Sequence, residues 1–398
     1  MPKLSIVIVS YNVKYYVAQC ITSVLRSQGG VDADITVVDN HSQDGTVEFL
    51  RKRFPSVKVV ASNHNLGFAR ANNIAIKATT GEYVLLLNPD TIVGEDVLSA
   101  CISFMDAHPR CGGLGLRMLN VNGEVAMESR RGLPTPMTSF YKMTGLCSRF
   151  PKSRRFGRYY LGFLPWDEPV RIDVISGAFC MLRREALDSI GLLDEDFFMY
   201  GEDIDLSYRL CKGGYENWYI PSTILHYKGE STHKSSFRYV HVFYEAMLIF
   251  FRKHYGHMSL LLSFPIKAAI CLKAAGALLQ IQADMVRRSL GFVGRNRRKM
   301  PCYVFYGAGS SLEACRDIAA SHGLQARFVS AGADTLPDGH VCDIHGRPDI
   351  LTYAVYDTTV YSYAHIIRLF ASHPIDNVEM GFFYPDDGVI ITKEEVIR

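Results

Sequence analysis

Short apolar runs alternate with segments of helical spacing along the first ninety residues. Runs of β-branched and other apolar residues predict strands at Leu4–Asn12, Asp34–Asn40, Val57–Ser62 and from Tyr83 onward. Segments with apolar residues three and four apart predict intervening helices at Val17–Gln28, Asp44–Phe54 and Ala69–Thr79. This alternation predicts an α/β protein with a mostly parallel sheet and helices on both of its faces.

The pattern changes twice further along the chain. A strand, a helix and an acid-rich loop are predicted within Arg171–Leu210, and a long helix at Arg238–Gly256. An apolar and then basic stretch follows, and a new strand, glycine-rich turn and helix begin at about Cys302. We therefore expect a large α/β domain over residues 1–256, a helical segment over 257–300 and a small α/β domain over 301–398.

Polar residues follow the predicted strands at the points where they end. Tyr11 follows the first strand, Asp39 ends the second, and Asn88-Pro89-Asp90 stops the run YVLLL. Pro89 has no N–H to donate and ends the strand ladder. Because open α/β sheets bind ligands at the carboxyl ends of their parallel strands, these side chains predict one ligand-binding crevice.

Composition narrows the class of protein. The chain has 398 residues, is 48% hydrophobic and 21% charged, and has a net charge of +3, as in ordinary globular proteins. None of the ten cysteines forms a CxxC pair, so a zinc ribbon or a redox motif is not indicated. Without a signal-peptide pattern, reduced thiols in a cytoplasmic protein are expected.

Two segments carry features that suit a membrane surface. The stretch 129–166 has no acidic residue and eight basic ones, namely Arg130, Arg131, Lys142, Arg149, Lys152, Arg154, Arg155 and Arg158. It is either a solvated loop or a surface for lipid phosphates. Residues 258–282 are apolar but interrupted by Pro265, Lys267 and Lys273, which favours a helix lying in the membrane interface over a core helix with a linker.

Six polar motifs occur in a fixed order: VSYN, VVDNHSQDGT, NLGFARANN, NPD, GEDIDL and HYKGEST. In this order they resemble the family-two glycosyltransferases of GT-A fold, in the bacterial rhamnosyltransferase-like group. The resemblance covers about Leu4 to Gly256. It implies transfer of a sugar from a nucleotide-diphosphate donor, and it implies roles for individual residues.

The donor-binding roles fall on the first four motifs and the last. The resemblance implies that Asp39 accepts from the N3–H of uracil or thymine, beside backbone groups near Val9 and Tyr11. Gly67 would let backbone approach the ligand closely. The remaining donor-binding candidates are Arg70 and Lys228 with Ser231 for the diphosphate, Asn73 for hydroxyls, and Asn88 with Asp90 at the strand end. For NLGFARANN the alternative is a helix N-terminus with incidental polar side chains.

A divalent cation, Mg²⁺ or Mn²⁺, is the cofactor that the resemblance implies. Such an ion stabilises the charge that grows on a diphosphate leaving group and takes few protein ligands. Asp90 and His226 are the candidate ligands, with a structural histidine as the alternative for His226. Asn88 stands where the family's stricter DxD motif has its first acid, which leaves one anionic ligand fewer.

The motif GEDIDL supplies the candidate base for an acceptor hydroxyl. The resemblance favours Asp203, with Glu202 second, and direct attack assisted by one base predicts inversion. Gly177 and Ala178 are candidates for the acceptor site. Trp166 is either a sugar-stacking residue or part of the core.

The predicted function is transfer of rhamnose or a hexose from a dTDP- or UDP-sugar in cell-surface polysaccharide synthesis. The predicted acceptor is a saccharide or a polyprenyl-diphosphate-linked saccharide. We expect the inner face of the cell membrane as location and no nucleic-acid partner, and homo-oligomerisation stays open. Two alternatives remain: a non-catalytic sugar- or nucleotide-binding protein, or a Rossmann-type nucleotide site at YGAGSS (Tyr306–Ser311) in the C-terminal domain.

Overall fold

Two β-sheets organise the computed structural model, which describes residues 2–228, 237–256, 276, 282–283, 286–287, 300–344 and 350–398. The strands are β1 Leu4–Ser10, β2 Ala33–Asp39, β3 Lys58–Ala61, β4 Tyr83–Leu87, β5 Thr91–Val93, β6 Cys111–Leu119, β7 Val170–Arg171, β8 Phe179–Arg183, β9 Glu216–His226, β10 Cys302–Gly307, β11 Gln325–Ser330, β12 Thr352–Asp357, β13 Val378–Tyr384, β14 Val389–Ile391 and β15 Val396–Ile397. The helices are α1 Lys14–Ser27, α2 Thr46–Arg53, α3 Phe68–Lys77, α4 Val97–Ala107, α5 Pro136–Met143, α6 Leu146–Arg149, α7 Arg184–Ile190, α8 Glu202–Lys212, α9 Phe237–His254, α10 Gly309–Ser321 and α11 Tyr363–Ser372. The α/β fold class predicted from the sequence is confirmed.

The first sheet has the strand order β3-β2-β1-β4-β8-β6-β9-β5, with β7 paired to β9. Strands β3, β2, β1 and β4 run parallel, so their carboxyl ends meet at one edge. Strand β8 joins β4 antiparallel, and β5 joins β9 antiparallel. The short β5 begins directly after Asp90, so the chain turns at the strand end and pairs with a distant part of the sequence.

Helices cover both faces of this sheet. Alternating residues of β1 point to opposite sides, as the period of a strand requires. Leu4, Ile6 and Ile8 belong to one core cluster with α1 and α4, whereas Val7 and Val9 belong to another with α3 and α8. The continuous apolar run of β1 therefore reflects burial on two sides.

The second sheet, with the order β11-β10-β12-β13-β14-β15, packs on the first through a shared core. One of its faces is covered by α10. The other face and α11 form a single cluster with residues of the first sheet, among them Ile92, Leu119 and Leu225. Polar contacts cross the same boundary: the Glu95 carboxylate accepts from the N–H groups of Tyr363 and Ala364 at 2.9 and 2.7 Å, at the start of α11.

Part of the sequence-based prediction falls outside the described residues. Most of the 257–300 segment, for which an interfacial helix was expected, lies there, as does Ser231. Within the described ranges, no helix combines the length and the apolar character that crossing a membrane requires.

Candidate functional site

One cleft of about 390 Å³ opens at the carboxyl ends of the parallel strands. Its walls come from the ends of β1 and β4, the β5–β9 pair, the start of α8 and the segment 128–160. The structure brings together at this cleft ten of the predicted residues: Val9, Tyr11, Asn88, Asp90, Gly177, Ala178, Glu202, Asp203, His226 and Lys228. Eight of them come from four of the six motifs, and Gly177 and Ala178 come from a separate stretch, so distant parts of the chain converge here.

Asp90 and His226 meet because β5 and β9 are paired. The ladder sets Thr91 opposite His226, and the Tyr227 N–H donates to the Asp90 carbonyl oxygen at 3.0 Å. The Asp90 carboxylate oxygen Oδ1 consequently lies 3.3 Å from the imidazole Nε2 of His226. The Asn88 side-chain amide lies 3.4 Å from the same nitrogen.

This pair fits a divalent cation that takes few protein ligands. A carboxylate oxygen and an imidazole nitrogen are both ligands of Mn²⁺, and two neighbouring ligands of an octahedral ion stand about 3 Å apart. Among the described residues, no group of three or more histidine, cysteine or acidic side chains is arranged to hold a metal. Asp90 and His226 would therefore hold an ion only together with oxygens of a bound diphosphate and water.

Asp203 lies on a different wall of the cleft, at the start of α8. Gly201 precedes the helix with φ of 88°, a left-handed conformation that glycine adopts without strain. The Asp203 carboxylate accepts from the Gly177 N–H at 3.3 Å and forms an ion pair with Arg131. Burial opposes the charge of Arg131, but the Asp203 carboxylate, together with Tyr159 and Glu128, outweighs burial, so the pKa of the guanidinium is raised.

Glu202 is the other acid of the pair, and its environment differs from that of its neighbour. Although it lines the cleft, it is only 6% exposed, and its Oε2 has no hydrogen-bond partner among the described residues. Burial, and then the adjacent Asp203 charge, raise the pKa of Glu202 from 4.5 to about 8. At neutral pH this carboxyl group is therefore mostly protonated, and it is a poor proton acceptor.

A third wall consists of residues that the motifs did not indicate. Arg131, Lys142, Tyr159 and Tyr160 all line the cleft. The Lys142 ammonium group lies 3.8 Å from the centre of the Tyr159 ring, a cation–π contact. The sequence signal was the acid-free stretch 129–166, which was interpreted only as a solvated loop or a lipid surface.

Arg130, from the same stretch, is buried in the protein rather than exposed to solvent or lipid. Its guanidinium donates to the carbonyl oxygens of Leu164 and Pro165 and lies 3.7 Å from the centre of the Trp166 ring. Trp166 therefore stacks on an arginine, and it does not line the cleft. This placement agrees with the interpretation of Trp166 as part of the core.

The three predicted donor-binding residues of the motif NLGFARANN, which are Gly67, Arg70 and Asn73, also lie outside the cleft lining. A Cβ on Gly67 would come within 2.5 Å of the Phe198 carbonyl oxygen, so the close approach that this glycine permits is to protein backbone. The Arg70 guanidinium pairs with Glu195 at 3.1 Å on the surface. The Asn73 amide donates to the Leu193 carbonyl oxygen at 2.8 Å, and it thereby anchors the loop that leads to α8.

Asp39 lies at the end of β2, next to the cleft but not in its lining. Its Oδ1 accepts from the Ser42 N–H at 2.9 Å. Its Oδ2 is buried and has no hydrogen-bond partner within the described part of the chain. Leaving a buried carboxylate oxygen unpaired costs free energy, which indicates an unfilled place for an N–H donor.

Two residues of the cleft have a strained backbone conformation. Tyr200 and Lys228, which both line it, have φ angles of 67° and 58°. Non-glycine residues rarely adopt such angles, and those that do are enriched at ligand sites.

The glycine-rich turn of the second sheet, where a nucleotide site was the alternative prediction, offers no space comparable to the cleft. The cavity beside Gly307 and Ser311 has a free volume of about 0 Å³.

The fold and the cleft together define an α/β enzyme domain with its polar site at the carboxyl edge of a sheet. Residues 5–191 match the model of glycosyl transferase family 2. This part of the chain is therefore a family-2 glycosyltransferase domain, as its motifs predicted, and the protein is a glycosyltransferase.

Several curated proteins are similar to this chain. The N-acetylglucosaminyl-diphospho-decaprenol L-rhamnosyltransferase of Mycobacterium tuberculosis is 27% identical over 261 residues, which cover 60% of this chain and 81% of the relative. The poly-beta-1,6-N-acetyl-D-glucosamine synthase of Staphylococcus epidermidis is 25% identical over 223 residues, and the match spans 48% of that longer protein. A solved mannosyltransferase from Pyrobaculum calidifontis, in complex with GDP-Man and Mn²⁺, matches with a TM-score of 0.43 and 16% identity over 72% of this chain and 80% of its own.

Proposed function

We propose that this glycosyltransferase moves rhamnose or a hexose from a dTDP- or UDP-linked donor to a saccharide acceptor, with inversion at the anomeric carbon and with a divalent cation. The observation that carries the proposal is that the Asp90–His226 pair and the Asp203–Arg131 pair line the same cleft. The Asp90–His226 pair suits a charged leaving group, and the Asp203–Arg131 pair suits an incoming hydroxyl.

The donor would lie against the strand ends. Mg²⁺ or Mn²⁺ held by Asp90 and His226 would offset the negative charge that develops on the diphosphate. Lys228, which pairs with Glu128 at 2.8 Å, adds a cation at the same wall. The Asp39 oxygen Oδ2, which has no hydrogen-bond partner in the described part of the chain, is suited to accept from the N3–H of uracil or thymine, beside Val9 and Tyr11.

The acceptor would approach from the side of α8. Its hydroxyl oxygen forms a bond to the anomeric carbon while the bond from that carbon to the diphosphate oxygen breaks, and Asp203 takes the hydroxyl proton. A single displacement of this kind inverts the anomeric centre. Asp203 is a better base than Glu202 at neutral pH, because the pKa of Glu202 is raised to about 8. Arg131 and the Gly177 N–H hold the Asp203 carboxylate in place.

The choice of rhamnose and of a lipid-linked acceptor is supported by the similarity to the mycobacterial L-rhamnosyltransferase, whose name specifies both. A polyprenyl-diphosphate-linked saccharide is the corresponding acceptor for this chain. The enzyme would then work at the inner face of the membrane, where cytoplasmic nucleotide-sugars and lipid-linked acceptors meet.

A donor screen tests the proposal. The purified chain is incubated with dTDP-rhamnose and with UDP-hexoses, with a membrane extract as acceptor source and with Mn²⁺, Mg²⁺ or a chelator. We expect metal-dependent release of dTDP or UDP, and an inverted anomeric centre in the product by NMR. Release that is unchanged by the chelator would refute the metal assignment, and retention of configuration would refute the single displacement.

A further inference from the structure

Helix α5 exposes its large apolar side chains to the outside of the protein. Met137, Phe140 and Met143 are 55%, 53% and 50% exposed, whereas Thr138 and Tyr141 are 4% and 7% exposed. A surface helix of a globular protein normally shows the reverse distribution. Large apolar side chains gathered on the outside of one short helix indicate a surface that a partner covers.

The exposed apolar residues form a continuous face with the neighbouring helix. Met137, Phe140 and Met143 are spaced by three, so they follow one side of α5. Phe150, directly after α6, is also exposed and lies 5.7 Å from Phe156, whose ring is 5.0 Å from that of Tyr141. These aromatic contacts join the two helices into one unit.

The segment that carries this apolar face also carries exposed cations and has no acidic residue. The exposed basic residues of the same segment are Arg149, Lys152, Arg154, Arg155 and Arg158. The sequence contains no aspartate or glutamate between residues 129 and 166. Apolar side chains that enter the acyl boundary, next to cations that meet lipid phosphates, are the features of an interfacial membrane segment.

We propose that the α5–α6 face, defined by Met137, Phe140, Met143 and Phe150 with the five adjacent cations, docks on a bilayer that contains anionic lipids. A protein partner with an apolar patch would match the methionines and phenylalanines but would leave the cations unpaired. An anionic bilayer matches both, which is why it is the occupant that we favour.

Docking there has a consequence for the cleft. Lys142 belongs to α5 and also lines the cleft, so the wall that it forms would stand beside the lipid headgroups. A saccharide on a lipid diphosphate would then reach Asp203 without leaving the membrane surface. This consequence rests on the proposed function, whereas the docking itself does not.

Co-sedimentation with lipid vesicles tests the docking. The full chain is compared with an apolar variant, M137S/F140S/M143S, and a charge variant, R149Q/K152Q/R154Q. The matched control is L25S/I74S, which removes two exposed apolar residues on other helices. We expect wild type and control to bind phosphatidylcholine vesicles that contain phosphatidylglycerol, and each test variant to lose at least about tenfold in affinity. Added salt should weaken binding of the apolar variant more than that of the charge variant.

Three results would overturn the proposal. The first is wild-type protein that binds anionic vesicles no better than pure phosphatidylcholine vesicles. The second is test variants that bind like the control. The third is an apolar variant that changes from dimer to monomer in gel filtration while its vesicle binding is unchanged, which would assign the face to a second copy of the chain. Thermal unfolding of each variant checks its fold, and donor hydrolysis without vesicles checks the enzyme separately.

Discussion

The buried carboxyl group of Glu202 should make the stability of the protein depend on pH in a direction that can be measured. In the folded chain its pKa is raised from 4.5 to about 8, first by burial and then by the Asp203 charge. The unfolded chain releases this proton as the pH passes 4.5, and the folded chain keeps it up to about pH 8. Between these values the folded state binds more protons, so rising pH favours unfolding.

The size of the effect follows from the shift. One pKa unit corresponds to about 1.4 kcal/mol, so the free energy of unfolding should fall by about that much per pH unit and by on the order of 5 kcal/mol across the window. Glu202→Gln replaces the carboxyl group by a neutral group of the same shape. This variant should lack the slope, and its advantage over wild type should grow as the pH rises.

Urea unfolding of wild type and Glu202→Gln, followed by circular dichroism between about pH 5 and pH 8, measures the slope. Glu195→Gln is the matched control. The hydrogen bond from Asn73 lowers the pKa of Glu195, and the Arg70 contact adds to this, so the stability that it contributes is lost only as the pH falls. Parallel pH profiles for wild type and Glu202→Gln would refute the reasoning, because they would mean that Glu202 is ionised in the folded protein.

Three further predictions concern catalysis. Asp203→Asn should lower turnover by about 10²–10⁴-fold while donor binding persists. Glu202→Gln should keep most of the turnover at neutral pH. If instead Glu202→Gln lost turnover and Asp203→Asn kept it, Glu202 would be the base. Asp90→Ala should weaken metal-dependent donor binding, measured by calorimetry, by at least about tenfold, and unchanged binding would contradict its assignment as a ligand. Arg131→Met should lower turnover and Arg131→Lys should restore part of it, with donor affinity unchanged in both; a parallel loss of donor affinity would mean that Arg131 contacts the donor instead of positioning Asp203.

Regular periodicity explains which parts of the fold and site were predictable. The predicted strand Leu4–Asn12 contains β1, and Asp34–Asn40 overlaps β2, because buried parallel strands give continuous apolar runs. The strand-end acid Asp90 was visible for the same reason. Its partner His226 came from the family resemblance, since no local pattern pairs residues so far apart in the sequence.

The parts that were missed depend on irregular chain paths. Arg131 and Lys142 come from a segment of short helices and turns, which has no period from which side-chain direction can be read. Gly67 was predicted to let backbone approach a ligand closely, and the group next to it in the structure is the Phe198 backbone. A glycine in the sequence can indicate a position without room for a side chain, but it does not indicate which group occupies the neighbouring space.

The two sheets should unfold as one unit, because side chains of the second sheet pack in the same core cluster as the strands that carry Asp90 and His226. Ile92 and Leu225 are paired in the β5–β9 ladder, next to the pair that sets His226 in place. Both side chains pack in the cluster that contains Phe370 of α11. The strands that carry Asp90 and His226 therefore draw part of their burial from the second sheet.

Phe370→Ala tests this coupling. Phe370 is fully buried, so its truncation should cost about 3–5 kcal/mol. Both tryptophans, Trp166 and Trp218, belong to the first sheet and its loops, so their fluorescence reports only on that part. If the shared core makes unfolding cooperative, tryptophan fluorescence and circular dichroism should shift together to lower urea, whereas Arg368→Ala, at an exposed position of the same helix, should shift neither. A tryptophan transition that stays in place in Phe370→Ala would mean that the first sheet holds the β5–β9 pair without help from the second.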